Sequence, residues 1–249
     1  MFSLLLLAVV ALIAGLQNAL AGGGSFLTFP ALLMTGLDTR AANVTSTVAL
    51  FPGQIATGLA GRSNMRGLTT LSLRDLFSIS LFGGACGALL LLSTPISVFS
   101  AMVPWLVLFA TGVFAWGSFA RKSGTPARAL GRRSAAAAQL AIAIYGGYFS
   151  GGIGILILAA LTLSGLPIRN AAATKNVLAG LMNASAALIF VFSKDVAWKQ
   201  AAVVAVAALI GGQLGAYTLN RVSERILRIC ITLLGLALTI GLFLRARGP

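Results

Sequence analysis

Apolar runs of roughly 18 to 23 residues, separated by short loops, dominate this chain, and about 20 apolar residues suffice for a helix to cross a 30 Å hydrocarbon core. They predict an all-α membrane protein. Charged residues make up 9% of the chain and apolar ones 58%, whereas a soluble domain carries about 25% charged residues. An ordinary cytosolic globule and a disordered chain are both excluded. The net charge of +14 would suit a nucleic-acid binder, but the cations lie in short loops between apolar runs. That placement reads as topology signals, with no nucleic-acid partner.

The chemistry available is narrow. There is no histidine, and Cys86 and Cys230 both lie inside apolar segments, so no zinc, haem or disulfide framework can be assembled. The four carboxylates, Asp38, Asp75, Asp195 and Glu224, are far apart in sequence. Paired-carboxylate catalysis, metal binding and a resident cofactor are not expected, and no nucleophile–base pair suggests an enzyme.

Along the chain, a first apolar run over 1–21 is followed by Gly22-Gly23-Gly24-Ser25 and a run from Phe26 to Leu37 that is too short to span. Ala19-Leu20-Ala21 resembles a cleavage site, but a basic n-region is missing, so residues 1–21 are expected to be a span and not a signal peptide. Segment 43–61 carries Asn43, Thr45, Ser46, Thr47 and Gln54, which must face protein or water, and Pro52-Gly53 is a candidate kink. Two conventional spans are expected at 75–94 and 97–119, before a basic loop from Arg121 to Arg133.

The pattern then begins again. At a fixed shift of 129 residues, Gly22, Gly23, Leu27, Ala31, Leu32, Gly36, Leu37, Arg40, Ala42, Thr45, Val48 and Leu59 each meet an identical residue between Gly151 and Leu188. Residue frequencies give about three or four such matches by chance. The expected organisation is a first half over 1–119 with a glycine break at 22–25, a basic cytoplasmic loop over 120–134, and a second half over 135–249 with a glycine break at 146–154. About eight spans, or ten segments with the short pair, fit the apolar pattern. Duplicated halves with short, glycine-interrupted segments at matching places are the signature of a secondary transporter whose site lies at the repeat interface.

Charge orients the chain. Arg62, Arg66 and Arg74 in one loop, and Arg121, Lys122, Arg128, Arg132 and Arg133 in the next but one, are expected to be cytoplasmic. Placing Arg221, Arg225 and Arg228 inside as well makes the second half inverted relative to the first and leaves the C-terminus outside.

Several residues are candidates for substrate binding. Gly22, Gly23 and Gly24, with Gly151, Gly152 and Gly154, can present backbone amides as an anion nest at the start of a short helix, and Ser25 can add a hydroxyl. Lys175 lies within an apolar segment, where insertion costs about 2.5–3.5 kcal/mol, so it is a functional candidate by default. Its bland alternative is a stem that snorkels to the headgroups near Arg169. Asn43, Thr45, Gln54, Thr174, Asn176 and Asn183 can donate to a substrate oxygen or staple one helix to another. Arg40 and Arg169, equivalent across the repeat, are guanidinium gates or interface anchors.

At these residues the sequence resembles the sulfite exporter TauE/SafE family of bacterial membrane transporters. The resemblance is carried by Ala21-Gly22-Gly23-Gly24-Ser25-Phe26-Leu27 with Pro30, by Arg40-Ala41-Ala42-Asn43-Val44-Thr45-Ser46-Thr47 through Pro52-Gly53, by Gly151-Gly152-Ile153-Gly154, and by Ala173-Thr174-Lys175-Asn176. It departs at Ile153, which stands opposite Gly24. The resemblance implies a multi-pass protein of the bacterial cytoplasmic membrane that exports small anions, sulfite and sulfoacetate among them. The duplicated halves suggest that one site between them is exposed alternately to each side. An anion channel or a non-transporting membrane scaffold is the alternative reading.

Overall fold

The structure, a computed structural model, describes residues 2–20, 23–60, 62–116, 131–218 and 224–247. Gly22 and most of the basic loop over 120–134 lie outside the described residues. The described residues form ten α-helices: α1 Phe2–Leu20, α2 Ser25–Met34, α3 Thr39–Ala60, α4 Leu73–Ser93, α5 Ile96–Ala115, α6 Arg132–Tyr148, α7 Ile153–Leu163, α8 Ile168–Phe190, α9 Trp198–Thr218 and α10 Glu224–Arg247. A shift of 129 residues carries α1, α2, α3 and α5 onto α6, α7, α8 and α10 with small changes at the ends, while α9 begins and ends four residues before the shifted α4.

Length separates the helices into two kinds. The 10-residue α2 and the 11-residue α7 are about 15 Å long, half a hydrocarbon core. The segments Leu73–Ser93 and Ile96–Val113 are long and apolar enough by themselves to cross a membrane. Polarity is inverted relative to a water-soluble protein. Asn43, Thr45, Thr174, Lys175 and Asn183 are buried, whereas Phe82, Trp105, Phe192 and Leu244 are each more than 60% exposed. Such an outer surface suits lipid and not water.

Repeat symmetry extends to the packing. The first helix of each half lies against the fourth helix of the other, α1 on α9 and α6 on α4, while α3 meets its own equivalent α8 and α5 meets α10. Both exchanged pairs rely on missing side chains. A Cβ on Gly15 would collide with the Ala208 backbone and one on Gly211 with that of Leu12. In the other pair, Gly87 lies against the Ile144 carbonyl and Gly147 against that of Gly84. Small residues let helix backbones approach where apolar burial gives no net drive for association in lipid.

Helix direction fixes the kind of repeat. Arg40 and Thr45, early in α3, contact Asp195 and Ala197 beyond the end of α8, while Asn170 and Thr174, early in α8, contact Asn64 and Arg66 beyond the end of α3. Equivalent helices α3 and α8 therefore run antiparallel. A twofold relation between antiparallel equivalents is perpendicular to the helices, so the repeats are inverted.

Candidate functional site

Both short helices begin at a backbone reversal that only glycine accepts without strain. Gly23 has φ 88° and its equivalent Gly152 has φ 76°, and each short helix ends at a second such pair, Gly36 at 93° and Gly165 at 89°. Gly24 follows in the right-handed region at φ −54°, so backbone hand alternates as in an anion nest. Carbonyls at the breaks are held by side chains. Gln17 Nε2 donates to Gly23 O at 3.1 Å, Asn43 Nδ2 to Tyr148 O at 3.0 Å, Ser25 Oγ to Ser150 O at 3.1 Å and Tyr145 Oη to Gly151 O at 3.1 Å. The breaks are thus clamped, and edge-on packing of Phe149 against Phe29 and Tyr145 reinforces the second one.

Between the two breaks lies a cavity of about 20 Å³, lined by Asn18, Gly23, Ser25, Gln54, Ser150, Ile153, Gly154, Lys175, Asn176 and Ala179. That volume admits one water-sized body. A four-heavy-atom anion needs the surrounding helices to move apart, so the structure describes a site closed around its centre. The start of α2 and the start of α7 both face this cavity, each presenting the positive end of a helix dipole.

Lys175 is 5% exposed and is the charged residue in that lining. Among the described residues its ammonium has no ion-pair or hydrogen-bond partner; the ion pairs found are Arg40 with Asp195 and Arg132 with Asp75. The side chain is directed into the cavity between the breaks and is shielded by the surrounding helices. Asn176, the next residue, shares the lining.

Of the residues singled out in the sequence, Gly23, Ser25, Gln54, Gly154, Lys175 and Asn176 meet at the cavity. Others cross-link the two halves in this structure. Thr45 Oγ1 accepts from Ala197 N at 3.0 Å. Its equivalent Thr174 accepts from Arg66 N at 3.1 Å and donates to Arg66 O at 3.0 Å. Asn43 is committed to the Tyr148 carbonyl. Gly24 and Gly151 are shaped by packing instead, since a Cβ would meet Ala14 O at 2.8 Å in one case and the Phe149 ring at 2.6 Å in the other. Gly152 supplies the left-handed turn that starts α7.

The two arginines part company. Arg40 Nη2 donates to Asp195 Oδ1 at 3.2 Å and its Nε lies 3.0 Å from Oδ2 without a hydrogen bond, an ion pair that joins the start of α3 to the α8–α9 loop. Arg169 is exposed. Two contributors to the lining, Asn18 at the end of α1 and Ser150 at the second break, went unmarked in the sequence. Asn18 sits in an apolar helix four residues before the glycines, and that polar interruption is the signal that could have found it.

Residues 7–242 match the family described as sulfite exporter TauE/SafE. The chain is 29% identical over 244 residues to "Probable membrane transporter protein" of Haemophilus influenzae, covering 95% of this chain and 92% of the relative. It is 27% identical over 253 residues to "Probable membrane transporter protein YfcA" of Escherichia coli K12, covering 100% and 93%. A Sinorhizobium relative, "Probable membrane transporter protein ORF9", is 27% identical over 239 residues, with 94% and 90% covered.

Proposed function

This chain belongs to the sulfite exporter TauE/SafE family of membrane transporters, and we propose that it exports small sulfur oxyanions or sulfonates, such as sulfite or sulfoacetate, from the bacterial cytoplasm by alternating access. The observation that carries this reading is Lys175, buried and, among the described residues, without a partner at a cavity on which the starts of α2 and α7 converge. A buried ammonium without a counter-charge is costly, and an anion removes that cost when it binds.

In this scheme Lys175 supplies charge, the amides of Gly23 and Gly154 supply shape, and Ser25 and Asn176 complete the hydrogen bonding. The Arg40–Asp195 contact holds the external mouth shut, with the Arg66 end of α3 facing the cytoplasm. Inverted repeats support alternating access, because two antiparallel halves around one site interconvert by exchanging roles. A potential of 100 mV, negative inside, favours exit of each negative charge by about 2.3 kcal/mol. Export then needs no second ion.

Purified protein in liposomes loaded with sulfite, thiosulfate, sulfate or a small sulfonate tests this reading. Saturable, potential-sensitive efflux that is accelerated by substrate on the opposite side is expected. Flux without such acceleration supports a channel in its place, and no flux of any probe removes the transport reading.

A further inference from the structure

We propose that Arg66 and Arg169, with Arg62 in the same loop as Arg66, form a second site for a small oxyanion at the cytoplasmic mouth, one that hands substrate to Lys175; the hand-over, unlike the site, rests on the transport reading. The two mouths are built on one plan. Early in α3, Arg40 pairs with Asp195, and Thr45, five residues on, holds the amide of Ala197. Early in α8 the equivalents are Arg169 and Thr174. Thr174 holds the amide and carbonyl of Arg66, while Asn170 donates to Asn64 O at 2.8 Å.

The inner mouth lacks the carboxylate. The 129-residue shift carries Asp195 onto Arg66, and matching the loops through the residues that their threonines hold places Asn64 there instead. Neither is acidic, and residues 61–72 contain no aspartate or glutamate. Asp75, the next carboxylate, accepts from Ser72 N at 3.1 Å and lies 3.8 Å from Arg132, and Glu224 begins α10, which packs on α5 and α2. Arg62, Arg66 and Arg169 are exposed and, among the described residues, have no acidic partner. Arg66 Nη1 donates to the preceding carbonyl, Met65 O, at 2.9 Å.

Keeping a loop on the cytoplasmic side requires cations in number and not at particular positions, whereas these stand where the other half has a matched pair. Thr174, which holds Arg66, immediately precedes Lys175, and Arg169 is six residues before Lys175, about 9 Å along the helix. Guanidinium forks bind oxyanions through paired N–H groups, and a cationic mouth raises the local concentration of anions. Closing the outer mouth brings opposite charges together. Closing its inner equivalent brings like charges together unless an anion lies between them.

Sulfite binding to purified protein in a non-ionic detergent, read by titration calorimetry, tests the site without flux. Wild-type protein should bind two sulfite ions. Lys175→Ala should keep one, whose affinity falls about tenfold when salt rises from about 0.01 to about 1 M and the screening length shrinks from about 30 to about 3 Å. Arg66→Gln with Arg169→Gln should lose that ion and keep the other. Adding Thr69→Arg to this variant returns a cation to an exposed position of the same loop and should not restore binding. Phosphatidylglycerol added to the detergent should not displace the sulfite. In liposomes the Arg66→Gln, Arg169→Gln variant should carry sulfite with kcat/KM lower by about tenfold, and Arg66→Lys with Arg169→Lys should recover part of that loss.

No sulfite bound by Lys175→Ala, or unchanged binding in the glutamine variant, overturns the inference. Displacement by phosphatidylglycerol assigns the arginines to lipid headgroups and overturns it as well, as does recovery of binding with Thr69→Arg. Two bound sulfite ions without flux leave the mouth site standing and remove the transport reading; flux with a single sulfite ion bound at Lys175 does the reverse.

Discussion

Asn183 Nδ2 donates to Gln54 Oε1 at 2.6 Å, and the two residues are equivalent positions of the repeat, 129 residues apart. A bond between equivalents lies at the twofold relation itself, so this amide pair joins α3 to α8 at the centre of the inverted repeat. Phe26 and Ile155, also equivalents, meet in one small apolar cluster with Ala110.

Breaking the central pair should destabilise the protein. Asn183→Leu deprives Gln54 Oε1 of this donor, and an abandoned buried polar group costs about 1–3 kcal/mol. Combined replacement, Gln54→Leu with Asn183→Leu, should cost less than the sum of the single changes, because both amides leave together. Thermal unfolding in detergent reads both values; strict additivity would show that the bond contributes nothing.

Lys175→Ala should abolish saturable anion flux while leaving purification yield and gel-filtration profile unchanged. Its ammonium makes no contact that holds helices together among the described residues, so the loss should appear in transport and not in folding. Retained flux would remove Lys175 from the binding role.

The Arg40–Asp195 contact predicts a gating phenotype. Both side chains are less than 20% exposed, so solvent screens the pair only in part, yet its contribution to stability should stay near ~1 kcal/mol. The larger effect should be on access. In a background lacking Cys86 and Cys230, a cysteine replacing Ser25 should react faster with an external thiol reagent when Asp195→Asn is present. Charge exchange, Arg40→Asp with Asp195→Arg, should restore slow labelling; equal rates in every variant would show that this mouth is held by other contacts.

Gly87→Ala and Gly147→Ala should lower stability by about 1–3 kcal/mol through overpacking, because each Cβ meets backbone of the facing helix. Gly112→Ala is the control. It has open space around it and lies inside α5, where alanine is favoured over glycine by about 0.5–1 kcal/mol. Melting temperatures should separate the variants in that order.

Thr174→Val should loosen the loop after α3, since one hydroxyl holds both the amide and the carbonyl of Arg66. Hydrogen exchange around 65–67 should rise, while Thr45→Val should produce the equivalent rise around 196–198. Unchanged exchange at both loops would show that the hydroxyls are not what orders them.

Much of this architecture was legible in the amino-acid order. Apolar run length dictated the membrane class, the 129-residue shift exposed the two halves, and paired glycines located both breaks, because hydrocarbon tolerates such interruptions only where protein or a cavity covers them. A lysine within an apolar run was conspicuous for the same reason.

Neighbour choice was not legible, and it reassigned several residues. Helical period tells which residues share a face, but not which helix that face meets. Asn43, Thr45 and Thr174 had the chemistry to hold an anion, and the antiparallel register of α3 and α8 placed them instead opposite backbone groups of the other half. Asn18 and Ser150 gained their places in the cavity wall from the crossing of α1 and α6 with partners distant in sequence. Arg40 found its carboxylate 155 residues away. Composition and period determined that polar groups would be buried inside a lipid-facing shell, whereas tertiary packing alone decided which of them were spent on one another and which, Lys175 above all, remained without a partner among the described residues. Hydrogen bonds reach only about 3 Å, so that decision depends on the docked positions of the helices.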